Sequence, residues 1–201
     1  MSRLLVQVAA LPGGRASPGY RDVRAGLLSS VLAAAGLDLG GEAAVLQRRC
    51  STCGGTDHGK PEVPAALVAG WHVSVAHTAT RLVVAAADAG PCGVDAEDVD
   101  AVGRAPVTAV LLAPEERVDA ASVDRVARTW VRKEALLKAT GHGLAVDPAL
   151  LALDAGRGAP QVVRWQGPGP APVPEVWTED ELPATPAAPR ALVSAVALRA
   201  P

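Results

Sequence analysis

A chain of 201 residues, 49% of them hydrophobic, is long enough to bury a core as one domain or as two small ones. Its formal net charge of −2 and pI of about 6.1 argue against a nucleic-acid footprint built on bulk positive charge. No apolar run approaches the ~18 residues that span a bilayer, and Met1–Val6 is too short and too soon interrupted for a secretory signal, so a soluble, cytoplasmic protein is expected.

Phe is absent, so Ala, Val and Leu must fill the interior. Basic residues are nearly all Arg, and lysine occurs only at Lys60, Lys133 and Lys138. In such a chain a retained lysine marks a place that wants a compact point charge on a flexible stem.

In chain order, Leu4 to Ala10 reads as a first strand, closed by Leu11-Pro12-Gly13-Gly14. Tyr20 to Leu37 reads as a helix with Leu27, Leu28, Val31 and Leu32 as its apolar stripe. Arg21 and Arg24 sit early in that helix, against its dipole, which suggests an anionic ligand beside the commoner reading of exposed arginine.

Arg48 to Pro61 reads as a loop containing Cys50, Cys53, His58 and Gly59-Lys60-Pro61. The cysteines invite a zinc reading, with His58 where a Cys-Cys-His-Cys knuckle has its histidine. The fourth ligand then falls on Val63, and the one further cysteine is Cys92, so a closed four-ligand site is not available on this spacing. The pair therefore reads as structural or vestigial. Gly54-Gly55 also argues against a thioredoxin-like helix start. Gly59-Lys60-Pro61 offers backbone donors and one cation to an anion.

Trp71 to Thr78 and Arg81 to Ala87 read as two strands around a short turn, with His77 at the junction. In Gly93-Val94-Asp95-Ala96-Glu97-Asp98-Val99-Asp100 an extended chain points Asp95 and Glu97 to one face. Paired carboxylates suit a shared Mg²⁺. An acidic turn is the alternative, since Asp98 and Asp100 follow.

Pro114 opens a short helix start, and Ser122 is the expected N-cap of the main helix, which ends in the glycines Gly141 and Gly143. On that helix Trp130, Glu134 and Lys138 follow one another at four-residue spacing. The bland reading is a surface Glu–Lys pair; the alternative is a helix that meets a metal and a phosphate together. Leu150 to Leu153, Gln161 to Trp165, Val176-Trp177 and Ala191 to Leu198 then read as strands, with a Pro-rich loop from Gly167 to Pro174. Each half thus carries a helix flanked by strands.

Four motifs stand in order: Cys-x-x-Cys-Gly-Gly-x-x-His-Gly-Lys-Pro, Ser74-Val75-Ala76-His77-Thr78, Gly93-Val94-Asp95-Ala96-Glu97 and Trp130-x-x-Lys133-Glu134-Ala135-x-x-Lys138-x-x-Gly141-x-Gly143-Leu144. Together they resemble the Sfp-type 4′-phosphopantetheinyl transferases, especially the actinobacterial members, from about Arg21 to Leu144. The resemblance implies an α+β fold of two pseudo-twofold-related subdomains, each a small antiparallel sheet packed on a long helix. An N-terminal subdomain, 1–100, is expected to end at the metal motif, and a C-terminal one, 101–201, to carry the Trp-x-x-Lys-Glu-Ala helix.

The implied reaction moves the 4′-phosphopantetheine arm of coenzyme A to a serine of an apo acyl or peptidyl carrier protein, releasing adenosine 3′,5′-bisphosphate. By the same match Asp95, Glu97 and Glu134 hold Mg²⁺, with the Ala96 carbonyl as a further ligand in some members. Glu134 is a candidate base for the carrier serine, and Lys138 neutralises the pyrophosphate. His77 meets a coenzyme phosphate, Lys60 and Pro61 lie near the adenine end, and Arg24, less so Arg21, meets the 3′-phosphate, with Arg48 or Arg49 in reserve. Lys133 points about 100° away from Glu134 and supports the surroundings. A monomer acting on coenzyme A and a carrier, without nucleic acid or membrane, follows.

Two departures from the family pattern, Ala76 where Ser or Thr is frequent and a first helix with fewer basic residues, predict weakened coenzyme A affinity. They leave a catalytically weakened coenzyme A-binding homologue as the alternative. A zinc-knuckle nucleic-acid binder is a third reading, opposed by the missing fourth ligand and the net negative charge.

Overall fold

The computed structural model describes residues 2–39, 44–50, 53–104, 111–119, 122–154 and 159–200; Ser51 and Thr52 of the expected Cys-rich loop lie outside them. The first half runs β1 (Leu4–Ala10), α1 (Tyr20–Ala34), β2 (Gln47–Arg49), β3 (Lys60–Glu62), α2 (Pro64–Val68), β4 (His72–His77) and β5 (Arg81–Ala87). The second runs β6 (Cys92–Asp98), α3 (Val99–Arg104), α4 (Val123–Thr140), β7 (Leu151–Asp154), β8 (Gln161–Trp165), β9 (Pro174–Leu182) and β10 (Ala191–Leu198).

Two three-stranded sheets, β1-β5-β4 and β6-β10-β9, each have their last strand in the middle. All their pairings are antiparallel. Each half also has a two-stranded ribbon, β2-β3 or β7-β8, between its long helix and its closing hairpin. The halves therefore repeat one topology, and the fold is α+β with small antiparallel sheets, as expected.

β6 pairs with β10, with Asp95 opposite Ser194. The strand bearing Asp95 and Glu97 is thus built into the second sheet. The first half reaches it side-on: the Ser74 hydroxyl accepts from the Val94 N–H at 3.0 Å, and the Cys92 thiol donates to the His72 carbonyl at 3.3 Å.

Small side chains allow the layers to meet without Phe. Ala76, Val83 and Ala85 of the first sheet pack against Val94, Ala96, Val193 and Ala195 of the second. On its other face the first sheet buries Val73, Val84 and Ala86 against Leu28, Val31 and Leu32 of α1. Alternation along β5 thus serves two cores from one strand. Ala76 is in the core between the sheets, with its side chain buried, so a hydroxyl there would need a partner within that core.

α1 stops at Ala34, earlier than Leu37, because Gly36 adopts φ 87 and the Leu37 N–H turns back to the Leu32 carbonyl at 3.0 Å. β9 runs well beyond Val176-Trp177, since Thr178 to Leu182 continue the ladder against Ala195 to Ala191. In α4, the Ser122 side chain accepts from the Arg125 N–H and Gly141 takes the left-handed C-cap with φ 83, both as expected.

Gly93 decides how α4 sits. A Cβ at this position would lie 2.5 Å from the Ala139 nitrogen and overlap the Ala135 carbonyl oxygen outright. The helix backbone therefore rests directly on β6. Gly93, Asp95 and Glu97 alternate along the strand on the side facing α4, while Val94 and Ala96 enter the core between the sheets.

Lys133 is fully buried on α4. Its ammonium lies 2.5 Å from Glu116 Oε2 and donates to the Leu111 and Pro148 carbonyls at 2.9 and 3.0 Å. Glu116 in turn accepts from the backbone N–H groups of Ala113 and Leu153. Lys133 is thus a structural node joining α4 to the segments before and after it.

Gly93→Ala is expected to cost about 3 kcal/mol or more, because the obstacle is helix backbone and no side chain can move aside; chemical denaturation measures it. Lys133→Met, which leaves Glu116 buried without its cation, is expected to cost about 3–5 kcal/mol in the same assay.

Candidate functional site

α4 resting on β6 brings together side chains that are 33 to 43 residues apart in sequence. Lys138 Nζ lies 2.5 Å from Asp95 Oδ1. The Trp130 indole N–H donates to Glu97 Oε1 at 3.1 Å. Glu134 lies between Trp130 and Lys138 on the helix and is 7% exposed. Asp95 Oδ2 is buried and has no hydrogen-bond partner among the described residues.

The electrostatics follow from three carboxylates sharing one ammonium. Burial, then the Asp95 charge, pushes Glu134 up to about 7 despite Lys138. Burial and Asp95 likewise push Glu97 up to about 7, against the pull of the Trp130 hydrogen bond and Lys138. Burial works against the charge of Lys138, but Asp95, Glu134 and Glu97 raise its pKa above the ordinary lysine value. The carboxylates are held differently: Asp95 by Lys138, Glu97 by Trp130, while Glu134 receives no hydrogen bond among the described residues.

A second cluster gathers on the first half. The Arg24 guanidinium lies 5.4 Å from the Tyr20 ring centroid, and its Nε is buried with no hydrogen-bond partner among the described residues. The His77 ring stands 6.2 Å from that of Tyr20. Arg48 donates to the Gly59 carbonyl at 2.9 Å, and burial followed by the Arg15 charge lowers its pKa, with Arg24 adding to the effect. Arg48 thus feels the charges of both Arg15 and Arg24, and such a concentration of guanidinium charge favours an anion.

Arg24 and Arg48 thus belong to the cluster, whereas Arg21 and Arg49 are exposed. Arg15 was not anticipated from the sequence; the Gly13-Gly14 turn, with φ 82 and 58, is the signal that brings the chain after β1 back to this place. Lys60 bridges the halves, donating to the Ala139 carbonyl at the end of α4 at 2.9 Å, with burial lowering its pKa. Pro61 stands opposite Arg48 in the β2–β3 ribbon.

Ala96 faces the core with its side chain, so only its backbone is available to a ligand. The carboxylates form a looser set than Cys50, Cys53 and His58, the group whose ligand atoms lie within 4.8 Å of one another among the described residues.

Residues 91–187 match the family model of the 4′-phosphopantetheinyl transferase superfamily. The match begins just before β6 and contains Asp95, Glu97, Glu134 and Lys138. No curated protein matches the chain. Among the described residues no helix is long and apolar enough to cross a membrane.

Glu97 and Glu134 are raised from 4.5 to about 7, so between those values the unfolded chain ionises where the folded one does not. Stability of the metal-free protein is therefore expected to fall as pH rises from about 4.5 to about 7 and then to level off. Thermal melts across that window should show this slope, and Glu134→Gln should flatten it.

Proposed function

We propose that this chain, whose second half carries a 4′-phosphopantetheinyl transferase superfamily domain, transfers phosphopantetheine from coenzyme A to a carrier-protein serine in the manner of the Sfp-type enzymes. The observation that carries the reading is the convergence of Asp95, Glu97, Glu134 and Lys138 where α4 rests on β6. Attack on a pyrophosphate needs positioning and charge neutralisation more than covalent chemistry, and this group supplies both.

The donor set fits a hard divalent cation, since it offers carboxylate oxygens, one of them the buried Asp95 Oδ2, unpartnered among the described residues. Asp95, Glu97 and Glu134 would hold Mg²⁺, with the Ala96 carbonyl as a further ligand, and the ion would neutralise pyrophosphate charge. Glu134, the carboxylate without a hydrogen-bond donor of its own, takes the proton from the carrier serine hydroxyl as the oxygen attacks phosphorus. Lys138 stabilises the charge that develops on the leaving bisphosphate.

Arg24, whose buried Nε has no partner among the described residues, takes the 3′-phosphate, and His77 takes another phosphate of the same ligand. Arg15 and Arg48 add positive charge beside Arg24. Lys60 and Pro61, on the ribbon that reaches the end of α4, border the adenine end. The two subdomains divide between β5 and β6, and coenzyme A lies across that division. A monomer suffices, because both halves are on one chain.

Several apo carrier proteins incubated with the protein, coenzyme A and Mg²⁺ should gain one phosphopantetheine by mass spectrometry. Glu134→Gln should abolish the gain, and failure of every carrier to gain mass overturns the reading. Arg24→Ala should raise the KM for coenzyme A about tenfold or more with a smaller effect on kcat, whereas exposed Arg21→Ala should change neither.

A further inference from the structure

Between β2 and β3, two sulfurs and an imidazole to which the transfer reaction gives no task are gathered together. The ligand atoms of Cys50, Cys53 and His58 all lie within 4.8 Å of one another. Cys53 Sγ is 3.4 Å from His58 Nε2. In a tetrahedral zinc site, bond lengths of about 2.3 Å to sulfur and about 2.0 Å to nitrogen put those two atoms roughly 3.5 Å apart. The two side chains therefore already stand at the spacing of ligands to one ion.

The backbone supports the same reading. The Cys50 N–H donates to the Gly55 carbonyl at 2.8 Å, and the Gly54 N–H returns to the Cys50 carbonyl at 2.9 Å. Gly54 holds φ 72, which a side chain would resist. The Gly55 N–H points at Cys53 Sγ, 3.4 Å away, where it would stabilise a thiolate. His58 Nδ1 is 2.7 Å from Asp57 Oδ1. With Nδ1–H donating to that carboxylate, the Nε2 lone pair is directed to the sulfurs, and a carboxylate behind a ligating histidine is the usual outer-shell partner.

We infer that Cys50, Cys53 and His58 form a three-ligand zinc site, with Asp57 orienting His58 and solvent in the fourth position. Two thiolates and an imidazole select zinc over the hard cations suited to Asp95 and Glu97. Val63, where a four-ligand knuckle would have its last ligand, is an apolar residue buried at the start of α2. Cys92 is buried and bonded to the His72 carbonyl, so it is not a substitute. Cys53 and His58 are exposed, which leaves the open position to water.

The ion would close the loop that joins β2 to β3. At the base of that loop Gly59 packs so tightly that a Cβ would meet the Arg49 carbonyl carbon at 2.5 Å. The ribbon it closes presents Arg48 and Lys60, so loss of zinc loosens two cations of the first half together. Binding itself does not depend on the transferase reading.

The test is metal analysis of the whole protein, purified with reductant and zinc and then dialysed. One zinc per chain is expected in the wild type and in Cys92→Ser, with loss in Cys53→Ser and in His58→Ala. A cobalt-loaded wild type should show thiolate-to-cobalt charge transfer and tetrahedral ligand-field bands, a readout that needs no variant. Equal zinc in wild type and Cys53→Ser overturns the inference. So does an absence of thiolate bands from the cobalt protein, or a Cys50–Cys53 disulfide that forms as readily with zinc present as without it.

Discussion

The contact between Gly93 and the backbone of α4 is the constraint on which the candidate site depends. Any side chain at 93 would lift the helix off β6, because Ala135 and Ala139 meet the strand with their main-chain atoms. Only at that separation can Lys138 reach Asp95 and Trp130 reach Glu97. The cluster is therefore set by backbone packing before any side chain chooses a partner. Ala135 and Ala139, small and one turn apart, are the helix's side of the same bargain with space.

Lysine usage reflects this economy of placement. Lys138 sits among the carboxylates, Lys133 ties α4 to Glu116, and Lys60 joins the first half to the end of α4. Each ammonium is directed at oxygen atoms in a confined space, where a flexible stem with a compact charge fits better than a planar guanidinium. Arginine serves where a fork matches a carboxylate, as Arg132 does on Glu179. It also serves where planar cations crowd an aromatic ring, as Arg24 does at Tyr20.

Much of the fold was legible locally. β1, β5 and β10 occupy the expected ranges, Ser122 caps α4 and Gly141 ends it, because strand alternation, hydroxyl capping and left-handed glycine are properties of neighbouring residues. The end of α1 was legible too, in Gly36, although the apolar stripe alone carried the helix to Leu37. β9 was not, since its polar residues Thr178 to Glu181 become a strand by pairing with β10. The placements of Ala76 and Arg15 were not legible for a related reason: the first depends on which face of β4 meets the second sheet, the second on where a glycine turn returns the chain.

By itself the sequence determined the chemistry available. Carboxylates spaced i, i+2 on an extended segment share a face, and Glu134 and Lys138 at i, i+4 share a helix face, because both periodicities are built into the backbone. It also determined that Cys50, Cys53 and His58 were near one another along the chain. Tertiary structure decided which faces meet: β6 joins the second sheet, α4 lies against it at Gly93, Lys133 turns inward, and the cysteine loop curls until sulfur and imidazole stand 3.4 Å apart. Those outcomes rest on close packing between segments distant in sequence, which no local periodicity encodes.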